Sequence, residues 1–102
     1  MPKPFPADDH VSAKLRAIAD PTRRQILHML REKGQCSLDK PVGMCASDVE
    51  QRLSLSQPTV SHHLRLLKKA GLVEAKKIGQ WIWFRRNEPA LRELLKQVKV
   101  EL

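Results

Sequence analysis

Cysteine is scarce in this chain, and long apolar runs are missing. Only two cysteines, Cys36 and Cys45, occur among 102 residues, and no apolar run approaches the roughly 18 residues that a membrane span requires. The N-terminal stretch MPKPFPADDH lacks the apolar segment of a secretory signal. We therefore expect a cytoplasmic protein with no membrane partner, whose two cysteines do not form a constitutive structural disulfide.

A catalytic constellation is missing as well. No nucleophile, base and orienting group stand together in the sequence, so the chain is not expected to be an enzyme. His62 and His63 are adjacent, but successive helical residues point about 100° apart and do not easily share a metal ion. We expect His62 to face outward and His63 to pack or hydrogen-bond at the edge of the domain.

Acidic residues are outnumbered, with 11 against 19 basic residues and a net charge of +8. Between Ser56 and Arg86 there are seven basic residues and one acidic residue, so most of the excess lies in one internal third of the chain. Such a concentration of positive charge inside a folded domain is the electrostatic footprint of a nucleic-acid binder.

The order of prolines, caps and apolar residues divides the chain into a loose arm over residues 1–7 and a single domain over residues 8–102. Apolar residues at helical spacing predict five helices. They begin after Asp8 or Asp9, at Pro21 after the N-cap Asp20, near Ala46, after the N-cap Ser56 and after Asn87. Two short alternating runs, LVEAKKI and WIWFRR, flank Gly79 and predict a β-hairpin.

This order predicts a fold that is mainly α with a small β-hairpin, a winged helix-turn-helix. The recognition helix is expected over about residues 57–70 and the wing over about 72–86. With Val60, Leu64 and Leu67 inward, the polar residues of that helix face outward, and short or amide side chains near its N-terminus suit base edges. The predicted DNA-binding residues are Ser56, Gln57, Thr59, Ser61, His62, Arg65, Lys68, Lys76, Lys77, Arg85 and Arg86. Trp81 and Trp83 either pack on one face of the hairpin or stack on nucleotides.

Two segments, ADPTRRQIL (Ala19 to Leu27) and the stretch from Leu55 to Arg85, resemble the ArsR/SmtB family of bacterial winged-helix repressors. The resemblance implies a homodimer, paired through its first and last helices, that sits on a palindromic double-stranded operator and leaves it when an inducer binds or a thiol is oxidised. Apolar stripes on those helices fit such pairing, because a chain this small buries them poorly alone. The predicted interface residues are Val11, Leu15, Ile18, Leu91, Leu94, Leu95 and Val98.

The cysteines leave three alternatives open. Arsenic-sensing relatives carry a Cys-x-Cys at the start of the helix before the recognition helix, where this chain has Cys45 but Ser47. Cys36 and Cys45 could therefore bind a thiophilic metal or metalloid, form a regulatory disulfide, or be structural, with Cys45 buried as a small apolar residue. No cofactor is required. A zinc or nickel site on the last helix is not expected, because Asn87 to Leu102 contains no histidine.

Two other functional classes compete with the DNA-binding regulator. One is a winged-helix module that binds a protein partner through its hairpin and tryptophans, and it predicts a DNA affinity with little salt dependence. The other is a thiol redox protein using Cys36 and Cys45. It lacks a Cys-x-x-Cys motif or a base beside the thiols.

Overall fold

A computed structural model describes residues 9–31 and 44–102. These ranges contain five helices and three strands, in the order α1 His10–Ile18, α2 Pro21–Arg31, β1 Met44–Cys45, α3 Ala46–Leu53, α4 Gln57–Lys69, β2 Val73–Ile78, β3 Trp81–Arg86 and α5 Glu88–Glu101. The predicted arm over residues 1–7 and Cys36 lie outside the described residues. No helix within the described ranges is long and apolar enough to cross a membrane.

Polar residues set the starts of three helices as the sequence predicts. Asp9 accepts a hydrogen bond from the backbone N–H of Ser12, and Asp20 accepts one from the backbone N–H of Arg23 at 3.1 Å. Asn87 accepts one from the backbone N–H of Ala90 at 3.2 Å. Each side chain pairs an N–H that has no partner within the helix, which fixes where the helix begins.

A tight turn joins α3 to α4. Ser54 adopts a left-handed conformation with φ 53°, and the backbone N–H of Leu55 bonds to the carbonyl of Glu50 at 3.2 Å. Ser56 occupies the predicted N-cap position of α4, but its side chain makes no capping bond. Its hydroxyl lies 2.9 Å from that of Thr59 instead.

The sheet has one strand more than the sequence predicts. Strands β2 and β3 form the predicted hairpin, with Gly79 at φ 61° in its turn, and the two-residue β1 pairs antiparallel with the outer edge of β3. Cys45 of β1 stands opposite Trp83. A strand of two residues shows no alternation, so sequence periodicity cannot reveal it.

One apolar core joins the helices to the base of the sheet. Ile26, Val49, Val60, Leu67 and Leu72 are fully enclosed at its centre. Asn87 ties the start of α5 to the end of α4, because its side-chain amide donates to the carbonyl of Gly71 at 3.1 Å. The packing therefore holds α3, α4 and the hairpin in one fixed arrangement.

Candidate DNA-binding surface

Helix α4 has one buried face and one exposed polar face. Val60, Leu64 and Leu67 are at most 1% exposed. All predicted DNA-contacting residues of the turn and helix are exposed, namely Ser56, Gln57, Thr59, Ser61, His62, Arg65 and Lys68. The core contacts therefore present a continuous polar surface running from the N-terminus of α4 to its basic last turn.

The hairpin adds positive charge beside that helix. Lys76 and Lys77 are exposed and form no ion pair with any residue in the described ranges. Arg85 is exposed but lies 2.9 Å from Glu74 on the neighbouring strand. An exposed ion pair of this kind is weak and is easily exchanged for a phosphate contact.

Arg86 does not belong to this surface, which corrects the sequence prediction. Its side chain is only 18% exposed, and it donates to the carbonyl of Leu27 and to Glu88, both at 3.3 Å. Its Nε lies 2.9 Å from Glu88 Oε1, in a direction that leaves Nε without a hydrogen bond. Arg86 thus connects the base of the hairpin to α2 and α5.

The two tryptophans behave differently although they share one face of β3. Trp83 is 2% exposed and packs with Cys45 and Ile78, whereas Trp81 is 47% exposed at the tip of the hairpin. The expected packing of both tryptophans on one face of the hairpin is seen only for Trp83. Trp81 lies at the tip of the hairpin, beyond the core.

Arg23 is a connecting residue that the sequence analysis missed. Its Nε donates to the carbonyl of Ala17 at 2.6 Å and its Nη2 to that of Arg16 at 3.2 Å, while Nη1 lies 3.3 Å from His63 Nδ1. Since arginine has no acceptor, His63 accepts in this contact, as expected for a histidine at the domain edge. One side chain therefore joins α1, α2 and α4.

The contacts of Arg23 also change the pKa of a neighbouring carboxyl group. The hydrogen bond from the backbone N–H of Arg23 lowers the pKa of Asp20 below its ordinary value of 3.8, and the positive charge of Arg23 adds to this effect.

Cys45 is the only predicted thiol-sensor residue within the described ranges. It is 5% exposed, its Sγ lies 3.1 Å from the hydroxyl of Ser47, and it donates to Asp48 Oδ2 at 3.2 Å. Residues 9–31 and 44–102 contain no cluster of three metal-ligating side chains. A site that includes Cys36 lies outside the described residues.

The predicted dimer residues differ in exposure. Val11 and Leu94 are buried in the core of the single chain, and Ile18, Leu91 and Val98 are partly buried against it. Leu15 and Leu95 are 41% and 70% exposed. The last turn of α5 also exposes Val100, which the sequence analysis did not include.

Comparisons with known proteins agree with this architecture. The family model "Bacterial regulatory protein, arsR family" matches residues 20–75. An HTH-type transcriptional regulator of Methanocaldococcus jannaschii, MJ1325, is 40% identical over 83 residues, covering 81% of this chain and 84% of the relative. An arsenical resistance operon repressor of Staphylococcus aureus is 29% identical over 90 residues, covering 88% and 78%.

A solved structure supports the fold independently. The homodimeric winged helix-turn-helix DNA-binding domain Mb0332 of Mycobacterium bovis superposes with a TM-score of 0.67 at 26% identity, covering 91% of this chain and 80% of that one. The family and these relatives are transcriptional regulators rather than enzymes. The chain therefore belongs to the arsR family of bacterial regulatory proteins and is a transcriptional regulator with a winged helix-turn-helix DNA-binding fold.

Proposed function

We propose that the protein is a cytoplasmic homodimeric repressor that places α4 in the major groove of a palindromic operator. The exposed polar face of α4 is the observation that carries this proposal. In it, Gln57, Thr59, Ser61 and His62 read base edges, while Ser56, Arg65 and Lys68 contact phosphates. Lys76, Lys77 and Arg85 of the hairpin contact the flanking DNA backbone or minor groove.

Dimerisation is supported by the exposed apolar residues of α1 and α5. Leu15 and Leu95 leave apolar surface exposed on a chain of 102 residues. A domain this small buries more apolar surface when two copies pair. The M. bovis neighbour is a homodimeric domain of the same fold. A two-fold dimer would set two α4 helices at the spacing of two half-sites.

Release by a thiophilic ligand is a second part of the proposal. The S. aureus relative is named an arsenical resistance operon repressor, and Cys45 stands directly before α3, the helix that supports α4. A ligand or disulfide joining Cys45 to Cys36 would pull on that helix and misalign the half-sites. Cys45 is 5% exposed and its Sγ contacts Ser47 and Asp48, so a ligand bound by this thiol would have to replace both contacts.

The test is fluorescence anisotropy on promoter DNA and on scrambled DNA at several salt concentrations. Gln57→Ala should reduce the preference for promoter over scrambled DNA. Lys77→Ala should weaken binding to both DNAs and reduce the salt slope by about one unit. Lys99→Ala, which removes the same charge from the end of α5, is the control and should change neither.

Equal, sequence-independent losses from Gln57→Ala and Lys77→Ala would contradict base reading by α4. A wild-type affinity that hardly depends on salt would instead favour the protein-interaction module. Repeating the titration reduced, oxidised and with arsenite, beside the double variant Cys36→Ser, Cys45→Ser, tests the thiol part. Release that the double variant retains would overturn it.

A further inference from the structure

A cavity of about 380 Å³ lies between α1, α2 and the end of α4. Its floor is apolar and is formed by Ala13, Ala17, Leu66 and Ala70. Alanines at three of these four positions keep the helices from filling the space with side chains. The volume falls within the range of about 300–1,000 Å³ that is typical of small-molecule sites.

The charged residues at the rim of this cavity are all basic. Arg16, Arg23 and Lys69 line it, and no carboxylate of the described residues does. The guanidinium N–H groups of Arg23 form hydrogen bonds to α1 and to His63. Arg16 and Lys69 are exposed, and their side chains form no ion pair within residues 9–31 and 44–102.

Among the nearby acids, Asp20 offsets part of the charge of Arg23, and neither Asp20 nor Asp9 forms an ion pair with Arg16 or Lys69. Asp20 lies beside Arg23 and caps α2, and Asp9 caps α1. The Ser12 hydrogen bond and, to a smaller degree, the charge of Arg16 lower the pKa of Asp9, but Asp9 and Arg16 form no ion pair. Arg16 and Lys69, the two rim cations without an ion pair in the described ranges, are complementary, together with the apolar floor, to an anion that carries an apolar body.

We propose that this cavity binds small organic anions, a carboxylate held by Arg16 and Lys69 with an aromatic or branched aliphatic body on the alanine floor. The inference does not depend on the proposed operator complex, because the site is formed within one chain. Its ligand would contact both the helix proposed to pair the subunits and the helix proposed to read DNA. This is the placement that coupling between two sites requires.

The experiment is isothermal titration calorimetry of the full chain without DNA, with 1-naphthoate as the probe. We expect saturable binding, with 1-naphthamide about tenfold weaker because it lacks the charge. Inorganic phosphate, which lacks the apolar body, should not displace the naphthoate. Amide NMR shifts should change most at Ala13, Ala17 and Ala70.

Three variants locate the site. Lys69→Gln should weaken naphthoate binding about fivefold. Lys68→Gln, which removes the same charge from the neighbouring residue outside the cavity, should leave it unchanged. Ala13→Leu should abolish binding by filling the floor, and an unchanged thermal melting curve would show that this variant is folded.

Four results would overturn the proposal. They are no binding at about 10 mM naphthoate, equal affinities for naphthoate and naphthamide, equal losses from Lys69→Gln and Lys68→Gln, and full binding by a folded Ala13→Leu. Equal losses would mean that the anion responds only to the overall positive charge of the surface and not to a site at Lys69. None of these readouts involves DNA, so their failure is distinct from a failure of the proposed function.

Discussion

Neighbouring arginines at the end of β3 have different roles. Arg85 is exposed and shares its charge only with Glu74, whereas Arg86 is turned inward against Leu27 and Glu88. Arg85→Gln should therefore weaken DNA binding with little effect on the free energy of unfolding. Arg86→Gln should lower the free energy of unfolding by about 1–3 kcal/mol, because the carbonyl of the buried Leu27 loses its hydrogen-bond donor and Glu88 loses its ion pair.

Urea unfolding and anisotropy on the same two variants check this pair. Arg86→Gln should bind DNA like wild type at a temperature where it is folded. Stability losses of similar size for both variants would contradict the division of roles.

The side chain beside Cys45 offers a second prediction at this scale. Ser47 Oγ lies 3.1 Å from Cys45 Sγ. Ser47→Cys should therefore create a two-sulfur site, and arsenite should release this variant from DNA at a concentration about tenfold lower than it needs for wild type. Ser54→Cys, placed at the far end of α3, is the control. If Ser47→Cys and Ser54→Cys respond equally to arsenite, the predicted two-sulfur site at Cys45 is wrong.

At the scale of the element, the caps fix where helices begin and the conformation of single residues fixes where they end. Ser54 ends α3 with φ 53°, a conformation that costs a non-glycine residue energy. Ser54→Gly should raise the free energy of unfolding by about 0.5–1 kcal/mol. Gln51→Gly, in the middle of the same helix, should lower it by about 1 kcal/mol. A loss for both glycines in thermal melts would show that the turn is not strained.

The cap of α2 predicts a dependence of stability on pH. Because the folded state lowers the pKa of Asp20, its stabilising contribution is complete above the unfolded value near 3.8 and disappears as the pH falls through the lower folded value. Asp20→Asn keeps a capping acceptor but removes this titration. Below about pH 4, the melting temperature should therefore fall more steeply for wild type than for the variant. Parallel curves would contradict the assignment.

For the molecule as a whole, two adjacent leucines of α5 differ in burial, so they distinguish a role in the core from a role in the proposed dimer interface. Leu94 is 2% exposed within the single chain and Leu95 is 70% exposed. Leu94→Ala should cost about 2–5 kcal/mol of stability. Leu95→Glu should leave the helical content unchanged but convert a dimer to monomers and reduce operator affinity, because a carboxylate is unfavourable in an apolar interface.

Light scattering after size exclusion, with circular dichroism, measures both effects. A dimeric Leu95→Glu protein would place the interface elsewhere. Lys96→Glu is the matched control, since it also introduces an acid at an exposed position of α5, but away from the face of Leu91, Leu95 and Val98, and should remain dimeric.

The local features of this protein follow from its amino-acid sequence alone. Helical spacing, the caps Asp9, Asp20 and Asn87, and the glycine turn at Gly79 depend on residues a few positions apart, so the helices and the wing could be predicted. The polar face of α4 followed from the same spacing. The concentration of basic residues pointed to a nucleic acid, because charge density needs no knowledge of packing.

Which of two neighbouring residues is buried, and which points outward, depends on the packing of the folded chain. Strand β1 forms because its backbone pairs with the free edge of β3. Arg86 faces inward because it bonds to the carbonyl of Leu27 and to Glu88. Trp83 is buried and Trp81 is not, and Leu94 is buried and Leu95 is not. These outcomes depend on contacts between segments far apart in the chain, which no local pattern encodes.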